Sequence, residues 1–328
     1  MLPVAVDAMG GDDAPGPVLA GAHRAAASGI PVVVVGPPDL AGREADGLTL
    51  ELIEATEVIG MHDDAAQGVR RKKDSTLVRA AEAVRDGRAS AMISAGNTGA
   101  TMAAALLRMG RISGVKRPAV ATPIPVPGAN PTILLDAGAN AEVQAEWLVQ
   151  FALMGSVYAR SRFGIESPRV GLLSIGEEPG KGDTLRKETY ELLGAASHLN
   201  FVGNVEGRDV MSADLDVCVT DGFTGNIVLK TLEGGMRVIV RAILDAFAAE
   251  EEYKPHADAL MPALLSLYET LSPDTYGGAV LLGVDGVCII SHGSSGETAI
   301  ANGIGVARDM VEHDMVGEIR SAIAHNAG

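Results

Sequence analysis

The stretch Asp216-Val217-Cys218-Val219-Thr220-Asp221-Gly222-Phe223-Thr224-Gly225-Asn226-Ile227-Val228-Leu229-Lys230-Thr231-Leu232-Glu233-Gly234-Gly235 decides how this chain folds. The β-branched run over 217–220 reads as a buried strand. Asp221-Gly222 breaks it, and Gly225-Asn226 lets the backbone turn sharply without a Cβ penalty. From Ile227 the apolar residues Leu229, Leu232 and Met236 fall closer to helical spacing than to alternation. A strand that turns through Gly, Asn and Thr into a helix aims free N–H groups and a positive dipole end at one point. Such a point favours an anion, typically a phosphate. The same residues also suit an ordinary strand–helix corner.

Outward from this stretch, the corner recurs. Residues 91–102 run from a strand through Gly96-Asn97-Thr98-Gly99 into an Ala-rich helix. Residues 133–140 end on Asp136-Ala137-Gly138-Ala139-Asn140, ahead of a helix through Trp147, Phe151 and Met154. A strand from Arg169 leads into a Gly-rich loop presenting Lys181, and another from Phe201 closes on Asn204, Glu206 and Gly207. A strand over 286–291 ends in His292-Gly293-Ser294-Ser295. The first strand, near Val4, ends in Asp7-Ala8-Met9-Gly10-Gly11-Asp12-Asp13 before a helix from about Pro17. Gly-x-Gly-x-x-Gly is absent there, and three carboxylates would repel a pyrophosphate, so they read as acceptors or caps. Further strands are expected over 31–36 and 48–55, and 116–118 open a Pro-rich connection. Strands alternating with helices argue an α/β fold with a mainly parallel sheet.

The chain has 328 residues, enough for one large core or two modest ones, and a net charge of −16. That balance excludes nucleic-acid binding by bulk electrostatics. Against it, Arg70-Arg71-Lys72-Lys73 is the strongest local cluster of cations, either a solvated loop or a positive patch, with Ser75 or Thr76 capping the next helix. Cys218 and Cys288 sit inside apolar runs and read as buried thiols. No His/Cys cluster has metal-ligand spacing, so no metal is expected. The N-terminus enters a strand without a charged-then-apolar leader, and no apolar run reaches the ~18 residues of a membrane span. A cytoplasmic protein is therefore expected.

Read together, the corners Asp7-Ala8-Met9-Gly10-Gly11-Asp12, Gly96-Asn97-Thr98-Gly99-Ala100, Leu135-Asp136-Ala137-Gly138-Ala139-Asn140, Gly203-Asn204-Val205-Glu206-Gly207, Asp221-Gly222-Phe223-Thr224-Gly225-Asn226 and His292-Gly293-Ser294-Ser295 closely resemble the phosphate acyltransferases of bacterial phospholipid synthesis. The resemblance covers essentially the whole chain as one domain, 1–328. It implies a homodimer with a three-layer α/β fold, helices on both sheet faces, related to phosphotransacetylases and isopropylmalate-type dehydrogenases. It implies transfer of a fatty acyl group from acyl carrier protein to inorganic phosphate, without a cofactor, giving an acyl phosphate for a membrane glycerol-3-phosphate acyltransferase. The loop Gly176-Glu177-Glu178-Pro179-Gly180-Lys181-Gly182 fits the family pattern, whereas Ser174 stands where an Asn is expected.

Phosphate is an adequate oxygen nucleophile and a thiol a fair leaving group, so positioning and oxyanion stabilisation remain for the enzyme. Asn97 and Asn226 are turn amides or reaction-centre donors; Lys181 is a solvated lysine or a phosphate contact; His292 caps a helix or protonates the departing thiolate. These four are expected to gather at the carboxyl ends of parallel strands. Phosphate or substrate binding is assigned to Gly96, Thr98, Gly99, Asp136, Asn140, Asn204, Glu206, Asp221, Thr224, Gly225, Gly293, Ser294 and Ser295. An acidic carrier protein is expected to dock on cations drawn from Arg70, Arg71, Lys72, Lys73, Arg108, Arg111, Lys116 and Arg117.

A helical hairpin is expected over 237–273. Leu260, Leu264, Leu267 and Leu271 recur along one helical face, widened by Met261, Leu265 and Tyr268. Pro262 fits a first helical turn, with His256 and Asp258 in the turn before it. The stripe suits a homodimer interface, or a peripheral membrane contact through Leu260, Leu264, Leu265 and Leu267. Three other functions compete: a decarboxylating dehydrogenase, which would need the missing glycine fingerprint; a phosphotransacetylase-like enzyme using acyl-CoA; and a non-catalytic acyl or carrier-protein binding module.

Overall fold

The computed structural model describes residues 1–40, 42, 44–45 and 47–326. Within them the chain runs β1 (Val4–Asp7), α1 (Gly16–Ala27), β2 (Val32–Gly36), β3 (Glu44–Ala45), β4 (Leu48–Thr49), β5 (Glu51–Glu54), α2 (Ala65–Arg71), α3 (Thr76–Arg85) and β6 (Ala91–Ser94). It continues through α4 (Thr98–Arg108), β7 (Ala119–Ile124), β8 (Thr132–Leu135), α5 (Ala145–Phe163), β9 (Arg169–Leu173), α6 (Thr184–Ala195), β10 (Asn200–Val205) and β11 (Val217–Val219). It ends with α7 (Gly222–Ala248), α8 (Lys254–Leu271), β12 (Ala279–Leu282), β13 (Val287–Ile290), α9 (Glu297–Glu312) and α10 (Met315–His325).

Eleven strands form one sheet in the order β10-β9-β11-β8-β7-β12-β13-β6-β1-β2-β5. Both faces are covered, because successive residues of each strand go to different cores. Val4 and Val6 pack with α1, α5, α9 and α10, while Ala5 packs with the apolar sides of α2, α3 and α4. That is the α/β fold that strand–helix alternation called for, in the three-layer arrangement that the family resemblance implied.

The polarity of the sheet matters most for function. Strands β10, β9, β11 and β8 are mutually parallel, and so are β13, β6, β1, β2 and β5. Between the two sets, β8–β7, β7–β12 and β12–β13 are all antiparallel. Three reversals leave the sets running in opposite directions, so their carboxyl ends lie on opposite edges of the sheet.

The two central strands correct the sequence reading. Residues 116–132 looked like a Pro-rich connection, and 276–285 carried no expected strand. Pro118, Pro123, Pro125 and Pro127, and Gly277, Gly278 and Gly283, are strand-breaking signals that mask β7 and β12. The strand expected over 48–55 is two short pieces, one in the hairpin with β3 and one at the sheet edge. Ser75 caps α3 by accepting from Val78 N.

Helix α7 runs on unbroken into the expected hairpin, and α8 is longer than the stripe suggested. Pro255 takes its first turn and Pro262 lies inside it. His256 and Asp258 are therefore helical, and the turn falls at 249–253. Among the described residues no helix is long and apolar enough to cross a membrane.

Candidate active site

At the carboxyl edge of the β8–β11 set, four corners meet. Asp221 is the N-cap of α7: its Oδ1 accepts from Thr224 N at 2.8 Å and its Oδ2 from Thr224 Oγ1 at 2.8 Å. Gly222 N donates to the Asn140 carbonyl at 2.7 Å. The free donors expected at this helix start are thus partly taken, because the chain supplies its own anion. Asp221 in turn forms an ion pair with Arg186 Nη2, which also lies 3.3 Å from the hydroxyls of Thr220 and Thr224. Burial works against ionisation of Asp221, but the Thr224 and Arg186 hydrogen bonds outweigh it and hold its pKa below the ordinary value. Arg186 was not singled out from the sequence. It sits in the first turn of α6, far along the chain from Asp221, and only the fold joins them.

Two glycines let the corners touch. A Cβ at Gly225 would lie 1.9 Å from the Asp136 carbonyl oxygen, and one at Gly222 would lie 2.8 Å from the Asn140 backbone. Asp136 is fully buried. Its Oδ1 accepts from Val120 N, Gly138 N and Ala139 N at 2.9–3.1 Å, and its Oδ2 from Asn140 N and Nδ2 at 2.7 and 2.8 Å. Burial pushes its pKa up against those donors. Asn140 Nδ2 also reaches the Pro118 carbonyl. Asp136 and Asn140 therefore build the corner, and the Asp136 carboxylate is not open to a substrate.

Two of the four expected catalytic side chains remain available at this edge. Asn226, at the start of the second turn of α7, is exposed beside Gly138. Lys181 is half-exposed on the β9–α6 loop, its Nζ 4.0 Å from Glu178. Asn204 braces that loop by donating to the Glu178 carbonyl at 2.8 Å, and Glu206 caps the turn after β10 and pairs with Arg208. Ser174 Oγ is buried with no hydrogen-bond partner among the described residues.

The other expected residues belong to the opposite edge. There Ser94 Oγ donates to the buried Asp7 carboxylate at 2.7 Å and accepts from Gly96 N at 3.0 Å. Burial raises the Asp7 pKa, with hydrogen bonds from Thr76 and Ser94 opposing it. Asn97 is the N-cap of α4: its Oδ1 accepts from Ala100 N, and its Nδ2 donates to the carbonyls of Met61 and Asp63. Thr98 and Gly99 form the first turn of α4. His292 is exposed, with Nδ1 2.8 Å from Ser294 Oγ; Gly293 O accepts from Asp12 N, and Ser295 N donates to His292 O. The expectation that Asn97, Asn226, Lys181 and His292 share one set of strand ends therefore fails within one chain. Lys181 and Asn226 lie at one edge and Asn97 and His292 at the other, because β7 and β12 reverse the sheet.

The expected basic surface is partly engaged. Lys72 pairs with Asp63 at 2.6 Å, and Arg108 pairs with Glu82 while reaching the Val69 carbonyl. Arg70 and Arg71 close α2, with exposed Lys73 just beyond. Arg111 and Arg117 both turn toward the Lys116 carbonyl. On the hairpin, Leu260 is 57 % and Leu265 53 % exposed; Leu264 is half-buried and Leu267 exposed. Burial pushes the Cys218 and Cys288 thiols up to about 12, so neither serves as a thiolate nucleophile.

The fold places the chain among phosphotransacetylase-like α/β proteins. A phosphotransacetylase from Streptococcus pyogenes superposes with a TM-score of 0.62 at 16% identity, covering 95% of this chain and 94% of that one. A 4-hydroxythreonine-4-phosphate dehydrogenase from Klebsiella pneumoniae has a TM-score of 0.54 at 13% identity, covering 95% and 100%. The more specific relation is in sequence. Residues 2–317 match the family described as fatty acid synthesis protein, and a phosphate acyltransferase of Desulfitobacterium hafniense (strain Y51) is 46% identical over 98% of both chains. The chain belongs to that family and is an acyltransferase.

Proposed function

We propose that the protein transfers a long-chain fatty acyl group from acyl carrier protein to inorganic phosphate, giving an acyl phosphate. The observation that carries this reading is the edge where β8, β9, β10 and β11 end. It offers an amide, Asn226, and an ammonium, Lys181, on a corner made rigid by the Asp136 and Asp221 networks. Phosphate drawn to this edge by Lys181 attacks the thioester carbonyl, and Asn226 donates to the developing oxyanion. The tetrahedral intermediate collapses with loss of the carrier thiolate, which takes up a proton. Positioning of this kind supplies several kcal/mol, and loss of one oxyanion donor costs about 3–4 kcal/mol. Oxidation states do not change, so the transfer calls for no redox cofactor. The acyl-CoA alternative uses the same chemistry and differs only in donor.

The acyl carrier protein docks on the surface of Arg70, Arg71 and Lys73, where cations collect on an otherwise acidic chain. The α7–α8 hairpin serves the homodimer and rests reversibly on the membrane. Its exposed leucines support that reading, and the scarcity of cations makes the attachment apolar and weak. There the product passes to a membrane glycerol-3-phosphate acyltransferase.

Palmitoyl-loaded carrier protein, phosphate and enzyme should yield acyl phosphate, while palmitoyl-CoA should react more slowly. Full activity in folded Lys181→Ala and Asn226→Ala variants would remove these residues from the site.

A further inference from the structure

A cavity of about 470 Å³ opens over the middle of the sheet, between α4 and the corner after β8. Met102, Ala103 and Leu106 of α4 and Leu281 of β12 form its apolar walls, and Arg111 and Arg117 line it as well. Its two sides come from the two opposed strand sets, since α4 follows β6 and the 139–140 corner follows β8. The volume lies within the range of small-molecule sites, roughly 300–1,000 Å³.

Two cations line this cavity. The chain carries a net charge of −16, and Arg79, Arg85, Arg162, Arg169, Arg186 and Arg208 all pair with carboxylates. Among the described residues neither Arg111 nor Arg117 has a carboxylate partner. Both donate instead to the Lys116 carbonyl, and Arg117 lies over the Trp147 ring, 4.7 Å from its centroid. These contacts hold the guanidiniums without neutralising them, which leaves donors for an anion. Hydrocarbon walls beside two unneutralised guanidiniums suit one chemistry above others, an anionic head on an aliphatic tail.

We propose that this cavity seats the acyl phosphate, with phosphate oxygens on Arg111 and Arg117 and the first carbons of the chain against Met102, Ala103, Leu106 and Leu281. Ala139 and Asn140 line the same cavity, and Gly138 of that corner abuts Asn226, so the head lies next to the reaction edge. The α4 wall then sets the preferred acyl length. This inference rests on the acyl-transfer reading and adds where the chain sits. It also gives Arg111 and Arg117 a ligand other than the carrier protein.

The test uses dodecyl phosphate, a stable stand-in for the product, titrated calorimetrically into the full-length protein. Ala103→Trp, Leu106→Trp and the paired Arg111→Ala/Arg117→Ala variant should each weaken binding about tenfold or more. The tryptophan variants should also shift turnover toward shorter acyl chains. Leu106 is 39 % exposed and tolerates a larger side chain, so Leu106→Trp decides the matter if Ala103→Trp does not fold. Unchanged affinity and chain profile in the folded tryptophan variants would overturn the assignment. So would an arginine variant that raises KM for loaded carrier protein while binding dodecyl phosphate normally, the mark of a docking surface. A wild-type protein that binds dodecyl phosphate yet makes no acyl phosphate would count against the reaction and not against the cavity.

Discussion

Removing Arg186 tests whether the α7 corner is held by charge or by packing. The Arg186 side chain is 12% exposed and that of Asp221 8%, and Asp221 also caps α7 through Thr224. In Arg186→Ala the carboxylate keeps its two Thr224 donors but loses its counter-ion in a nearly dry setting. Breaking a buried pair by removing one partner costs about 3–5 kcal/mol, and the surviving cap bonds place this case near the lower figure. The catalytic effect should exceed a simple stability loss, because Asn226 rides on the same helix start. A displacement of about 1 Å at a reacting group can cost about a hundredfold in rate. Denaturant unfolding at pH 7 and steady-state acyl phosphate formation, measured on the same preparations, give both numbers. Arg186→Lys should recover part of the stability and leave a rate deficit, since one ammonium cannot reach Asp221, Thr220 and Thr224 together. The pH dependence fixes the cause. A depressed folded-state pKa makes the Asp221 contribution fully present above the unfolded carboxylate value, about 4, and lost as pH falls through the folded value. In Arg186→Ala that part of the acid sensitivity should shrink. Wild-type stability and wild-type kcat/KM in Arg186→Ala would refute the reasoning.

Other perturbations follow from the same contacts. Asp136→Asn must aim an NH2 group at a corner of backbone donors, and should lose roughly 3 kcal/mol or more in unfolding experiments through unsatisfied buried groups. Asn97→Ala should cost about 1 kcal/mol as a lost cap, with protease cleavage rising near 61–63 as its bonds to the Met61 and Asp63 carbonyls go. Ser174→Asn should give the unpartnered position a hydrogen bond to the Lys181 loop, worth about 1 kcal/mol in thermal unfolding, with activity unchanged or raised. At Asp7 the sign is opposite to that at Asp221. Its raised folded-state pKa means that stability falls as pH rises from the unfolded value through the folded one, and Asp7→Asn should flatten that part of the profile.

The α/β class was legible because strand–helix alternation is local, and its three layers followed from the family resemblance. So was Ser75 as a cap, since a Ser before a helical pattern carries its own signal. What stayed hidden was non-local or masked. β7 carries Pro123 within a central strand, and β12 lies between glycines, so the residues that betray strand ends elsewhere concealed two strands here. Missing them meant missing the polarity reversal, and with it the separation of Asn97 and His292 from Lys181 and Asn226. The Arg186–Asp221 pair was equally invisible, because nothing near either residue names its partner. Asp221 read as a strand breaker, whereas its carboxylate organises the helix start.

That carboxylate bears on how anions are recognised here. A helix start is an anion site when its first N–H groups are free. In this chain Asp221 caps α7, Asp183 caps α6, Asn97 caps α4, and Asp136 takes three successive backbone N–H groups after β8. Each cap stabilises its corner and satisfies donors that a phosphate would otherwise use. The corners consequently act as a scaffold, and on the proposed reading an anionic substrate is met by side chains that the scaffold leaves without counter-ions. Arg111 and Arg117 combine that lack of a carboxylate partner with a place in the cavity beside the β8 corner, and Lys181 stands on the β9–α6 loop 4.0 Å from Glu178. An acidic protein can gather an anionic substrate at one edge when cations without carboxylate partners are grouped there, because exposed carboxylates farther away than about 8–10 Å are screened by salt.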